Sequence, residues 1–131
     1  MKLTVLIADA AQVDLAGKVH ALGMGWDKTT TPTPPMTLII FVDFEESPPT
    51  APLTLDVLCL GPDGEVVKAG PDKREIKFRG HLQGDENALR ALATINIGPM
   101  QLEPGRHVWN VSIVEEGLST VVPFEAIPAT S

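Results

Sequence analysis

An all-β chain of about eight or nine short strands, stacked as an antiparallel β-sandwich, is the architecture expected here. Three observations lead to it. Apolar residues recur at every second position through most of the sequence, which marks half-buried strands. Twelve prolines and eleven glycines are spread along the 131 residues, so short elements alternate with turns. Sustained helical spacing appears nowhere, and at most one short helix is allowed. Hydrophobic residues at 44% suffice for one core in one domain, taken as residues 1–126 with a frayed tail at 127–131.

Each element has its own pattern. Leu3, Val5 and Ile7 share one side of the first strand, and Val19, Ala21 and Gly23 line a second from Lys18 to Gly25. Met36, Leu38, Ile40, Val42 and Phe44 line a third, and Leu53, Leu55, Val57 and Cys59 a fourth. Gly61-Pro62-Asp63-Gly64 is a turn, and residues Glu65 to Lys68 return from it. Ile76 and Phe78 mark a short strand, followed by Leu89, Ala91, Ala93, Ile95 and Ile97. His107, Trp109, Val111 and Ile113 form the next; Leu118, Thr120, Val122 and Phe124 follow the turn Glu115-Glu116-Gly117. Helix is hard to place; at most one helical turn is allowed within Asp85 to Leu92, where Asp85 could cap it. The stretches TTTPTPP and ESPPTAP read as extended crossings between sheets, because proline cannot donate to a central ladder.

Charge excludes some partners. A net charge of −7 repels a phosphate backbone, so nucleic acid is not an expected partner. Lys68, Lys73, Arg74, Lys77 and Arg79 concentrate half of the ten basic residues, but Asp72 and Glu75 interleave with them as on a solvated strand. The single cysteine, Cys59, excludes an internal disulfide and suits a reducing compartment, the cytoplasm. The start MKLTVLIADAA is expected not to be a secretion leader, because the apolar run Leu3 to Ile7 is too short. With no stretch near the ~20 apolar residues of a spanning helix, a membrane is not an expected partner.

No constellation for catalysis assembles, and no catalytic residue, metal site or cofactor is expected. Gly23-Met24-Gly25 lacks the third glycine and the following helix of a dinucleotide loop, so it reads as a bulge or a close backbone approach. Cys59 shares a strand face with Leu53, Leu55 and Val57, which predicts an inert buried thiol. His20, His81 and His107 show no ligand spacing, and His107 shares the parity of Trp109, as a core-edge histidine would. Asn110-Val111-Ser112 matches a glycosylation sequon inside a strand and is read as chance.

Two features point to binding instead. Trp26 beside Asp27 is the one aromatic flanked by a polar loop; it reads first as a plug over the sandwich end and second as a stacking platform for a sugar. Acidic groups at Asp43, Glu45 and Glu46, at Asp85 and Glu86, and at Asp27 and Asp63 could supply oxygens to calcium if their loops met. The outward strand positions are the stronger feature. Leu6, Ile39, Phe41, Leu58, Leu60, Val108 and Val121 are apolar where a solvated sheet should be polar. Ile39, Phe41, Leu58, Val108 and Val121 are therefore the expected interface residues.

The stretch LEPGRHVWNV, with Leu102 and Pro104-Gly105 ahead of an alternating strand, resembles the turn before a late strand of immunoglobulin-like sandwiches. No tyrosine is present, so their tyrosine corner cannot form, and His107 stands near its place. Through LIADAAQV, GKVHALGMGWD, PTPPM, LEPGRHVWNVSI and VVPFEA the chain also resembles an uncharacterised family of small bacterial proteins, a domain of unknown function. That resemblance implies an immunoglobulin-like sandwich and transfers no activity. The expected function is thus a non-enzymatic module acting through protein contacts, with an unknown partner or with itself as a homodimer. The alternative is a sandwich that binds a sugar or calcium around Trp26, Asp27 and the acidic loops.

Overall fold

The computed structural model describes residues 1–46, 48–85 and 87–128. The strands are β1 (Lys2–Ala8), β2 (Ala10–Val13), β3 (Val19–Leu22), β4 (Lys28–Thr31), β5 (Met36–Asp43) and β6 (Leu53–Leu60). They continue with β7 (Lys68–Ala69), β8 (Arg74–Glu75), β9 (Lys77–Leu82), β10 (Arg90–Ile97), β11 (Gly105–Ile113) and β12 (Leu118–Pro128). One sheet has the order β1-β5-β10 and a larger one β4-β12-β11-β6-β9; β2-β3 and β7-β8 are small separate pairs. The chain is all-β with open sheets, as a β-sandwich requires.

Period-two patterning builds the core. On β11 the inward residues Trp109, Val111 and Ile113 stand opposite Cys59, Val57 and Leu55 of β6. All six are buried. From the smaller sheet Met36, Leu38, Ile40 and Val42 join the same apolar cluster. Burying each such aliphatic side chain stabilises the fold by about 1.5–3 kcal/mol. Phe124 joins the two tryptophans: its ring lies edge-on to Trp26 at 6.2 Å and stacked with Trp109 at 6.5 Å.

Among the described residues twelve strands form, where about eight or nine were expected. β2 and β4 went unanticipated, and the short strand around Ile76 and Phe78 is split into β8 and β9. β4 is the polar Lys28–Thr31, and it pairs in parallel with the end of β12, Glu125 opposite Lys28. The threonines then fix the proline-rich crossing that follows. Thr31 Oγ1 donates to the Leu102 carbonyl and accepts the Leu102 N–H, both at 2.8 Å. Met100 N–H donates to Thr33 Oγ1 at 2.9 Å, and Thr33 N–H donates to the Met100 carbonyl at 2.8 Å. Each buried hydroxyl is thus matched to backbone, so polar residues cross the edge of the core at little cost.

Among the described residues of Asp85 to Leu92 there is a turn and no helix: the Ala88 N–H donates to the Asp85 carbonyl, and β10 starts at Arg90. β-branched Thr94, Ile95 and Ile97, with a strong ladder to β5, override the weak helical propensity upstream. At the start of the tail, Ile127 and Pro128 stand opposite Thr30 and Thr31 inside β12. Residues 129–131 lie outside the described part. Val114–Glu116 forms a single 3-10 turn, closed by Gly117 in the left-handed region.

Candidate functional site

The central strands of the larger sheet carry apolar side chains on both faces. Because Trp109 and Val111 point inward, Val108 and Asn110 point outward. Register then fixes their neighbours. Val108 stands between Leu60 on β6 and Pro123 on β12, and Asn110 stands between Leu58 and Val121. The result is two adjacent cross-strand rows, Pro123–Val108–Leu60 and Val121–Asn110–Leu58. Leu58, Leu60 and Val108 are half-buried, Pro123 is exposed, and Val121 is 55% exposed.

Polar groups close this patch at both ends. One row further on, Ser112 faces Asp56, and Asp56 faces Arg79. Arg79 donates two bonds to the Asp56 carboxylate, from Nε at 2.6 Å and from Nη2 at 2.8 Å. The bonded guanidinium holds the Asp56 carboxyl below its ordinary range, and the carboxylate raises Arg79 in return. At the opposite end Arg106 stands across from Glu125. Within the patch the Asn110 side-chain oxygen is buried and has no hydrogen-bond partner. An isolated buried acceptor of that kind costs about 1–3 kcal/mol, so the face is apolar with one unmet demand for a donor.

Three of the five expected interface residues, Leu58, Val108 and Val121, therefore meet on this face. Ile39 and Phe41 do not; they belong to β5 in the other sheet. Ile39 points away from the core as its parity implied, yet it is only 1% exposed, which corrects its assignment to an open surface. β2 lies against β5 and β10 without pairing to either, and no β2 or β3 residue enters the core cluster. This hairpin caps the outer side of the smaller sheet. Phe41 is half-buried beneath the Arg90 guanidinium, 4.6 Å from its ring centroid. Asn110 and Pro123 had no signal of their own; cross-strand register brings them to the patch.

Trp26 and Asp27 sit elsewhere. Trp26 packs against the core cluster beside Phe124, and its Nε1 is buried without a partner. The indole thus plugs the edge of the core, while exposed Asp27 offers its backbone carbonyl to the Glu125 N–H at 2.8 Å. Gly23 and Gly25 beside them have positive φ, 62° and 89°, and Gly25 N–H bonds to the Ile7 carbonyl. They serve a close backbone approach, not a phosphate. Three of the candidate acidic residues are engaged locally. Asp43 pairs with Arg90, Glu45 with the N-terminal ammonium at 3.3 Å, and Asp63 accepts the Glu65 N–H. Among the described residues no group of three His, Cys, Asp or Glu side chains is placed to hold a metal; Glu86 lies outside them.

A cavity of about 720 Å³ opens between the 61–75 excursion and residues 101–107. Buried His107 lines it, stacked on Phe124 at 5.4 Å, with Nδ1 3.0 Å from the Gly105 carbonyl. Cys59 is fully buried, and burial pushes its thiol up to about 12, far from any nucleophilic role at neutral pH.

No protein-family model matches this chain, and no curated protein sequence matches it either.

Proposed function

We propose that the chain is a non-enzymatic, immunoglobulin-like β-sandwich module that acts through protein contacts made by the outer face of its larger sheet. A second copy is the first occupant to test. The observation that carries this reading is the pair of rows Pro123–Val108–Leu60 and Val121–Asn110–Leu58, contiguous by register and partly open to water. Exposed apolar patches rimmed by polar groups mark contact surfaces. The margins carry both signs of charge, Asp56–Arg79 at one end and Arg106 opposite Glu125 at the other. A copy related by a two-fold axis can therefore meet opposite charge. The resemblance to a bacterial family of unknown function fits this reading and adds no activity to it. Amide chemical shifts followed against protein concentration test it. Shifts that move on β6, β11 and β12 and stay still on β1 and β5 support the reading; shifts that do not depend on concentration remove self-association.

A second reading, small-ligand binding, is favoured by the cavity beside His107. Its volume falls within the ~300–1,000 Å³ usual for ligand pockets, and a buried histidine forms part of its lining. A panel of monosaccharides and calcium, scored by melting temperature, tests it. A rise that disappears in Lys73→Ala or Glu103→Gln supports it, and no rise removes it.

A further inference from the structure

The two principal sheets are unequal, with three strands facing five. β10 ends the smaller sheet and, among the described residues, pairs only with β5, so its other edge offers backbone donors and acceptors with no described ladder partner. Opposite this edge lies β9, the last strand of the larger sheet. Between them runs a cleft of about 180 Å³ floored by Leu55, Val57, Phe78 and Leu82 and flanked by Ala93 and Ile95. Phe78 stands opposite Val57 on the inward face and lies over Trp109, with ring centroids 6.5 Å apart. It is nevertheless 38% exposed. A Cβ built on Gly80, also in the cleft, would meet nothing within 4 Å. The interior is therefore uncovered along one side, where a fourth strand of the smaller sheet would lie.

Edge strands are normally blunted by charge or proline. Two of the other edges follow that rule: β4 carries Lys28 and runs into Pro32, and β9 bears Lys77 and Arg79. β1 and β10 each carry a charge only at their first residue, Lys2 and Arg90, and of these two only β10 borders the cleft over Phe78. We infer that the free edge of β10 accepts an extended peptide segment of a partner protein as an added strand, whose alternate apolar side chains fill the cleft over Phe78 and Gly80. Strand addition of this kind draws affinity from main-chain hydrogen bonds and specificity from side-chain pockets. A lone segment fits better than a second copy. A short strand edge offers far less than the ~800 Å² per partner of a stable dimer. This inference does not depend on the outer-face reading and can fail separately.

Amide hydrogen exchange of the full chain tests it, with the peptide acetyl-KVTVTVK-amide as probe and acetyl-KVTPTVK-amide as control. The first peptide in excess is expected to slow exchange roughly tenfold at β10 amides that make no bond to β5. The proline-interrupted control is expected to leave those amides unchanged. Gly80→Leu fills the cleft from within, keeps the native melting temperature and loses the slowing. Ala93→Lys, which puts a charge in the cleft, loses it too and serves if Gly80→Leu does not fold. Absence of slowing, equal slowing by both peptides, or slowing that persists in the folded variants overturns the inference.

Discussion

Asn110 stands directly across the β11–β12 ladder from Val121, and its side-chain oxygen is buried with no hydrogen-bond partner. In the isolated chain that oxygen has lost water and gained nothing. Asn110→Val removes the unmet acceptor and places a good strand former on the sheet. It is expected to raise stability by about 1 kcal/mol in urea melts. A loss of 1 kcal/mol or more would show that the amide is satisfied in solution.

Trp109 is fully buried, with Phe78 and Phe124 against it. Trp109→Ala is expected to cost roughly 3–5 kcal/mol, as aromatic truncations in cores do. Trp109→Phe should cost much less, because it keeps most of the contact and deletes a buried Nε1 that has no partner. Equal losses from the two substitutions, measured by denaturant titration, would speak against a packed ring cluster.

Three carboxylates are held below their ordinary values, and each has a visible cause. Asp14 is bonded by His20, Asp56 by Arg79, and Glu115 by the hydroxyl and the N–H of Thr54. Lowered folded values mean that the unfolded chain binds protons more readily. The stability these groups confer is present above their unfolded values, near 3.8 for aspartate and 4.5 for glutamate. It is lost as pH falls through the lower folded values. Melting temperature should therefore hold from about pH 7 to about pH 5 and drop below about pH 4.5. Asp56→Asn should fall less steeply in the acid range. All three groups are on the surface, so each individual effect is small. An Asp56→Asn curve as steep as the native one would contradict the role given to Arg79.

Cys59 should resist thiol reagents in the native state. Its sulfur is fully buried, and burial raises its pKa to about 12. Ellman's reagent at mildly alkaline pH is expected to leave the native chain unlabelled and to label it promptly in denaturant. Prompt native labelling would mean that β6 opens readily.

Much of the fold could be read from the sequence wherever one face of a strand meets the core. Leu53 to Cys59 and His107 to Ile113 alternate cleanly, and both strands form with the expected sides inward. The facing of Ile39 was legible in the same way, but its exposure was not, because exposure depends on how the separate β2–β3 hairpin lies against β5. β4 was hidden because Lys28–Thr31 has no apolar period; its place comes from a parallel pairing with distant β12 and from hydroxyl bonds to Leu102. The sequence favours Trp26 as a plug over the sandwich end, but it could not name what the indole packs on, because its neighbour Phe124 lies near the other end of the chain. For the candidate face, parity alone selected Leu58, Val108 and Val121. Only register could add Asn110 and Pro123 between and beside them.

Sedimentation equilibrium on the native chain and on Val121→Lys, from ~10 µM to ~1 mM, tests the outer-face contact most directly. The expected result is a reversible monomer–dimer equilibrium for the native chain. Val121→Lys should stay monomeric and melt within about 0.5 kcal/mol of the native protein, because Val121 lies outside the core. A native chain that is monomeric throughout the range, and indistinguishable from Val121→Lys, would contradict the claim that this face joins one copy to another.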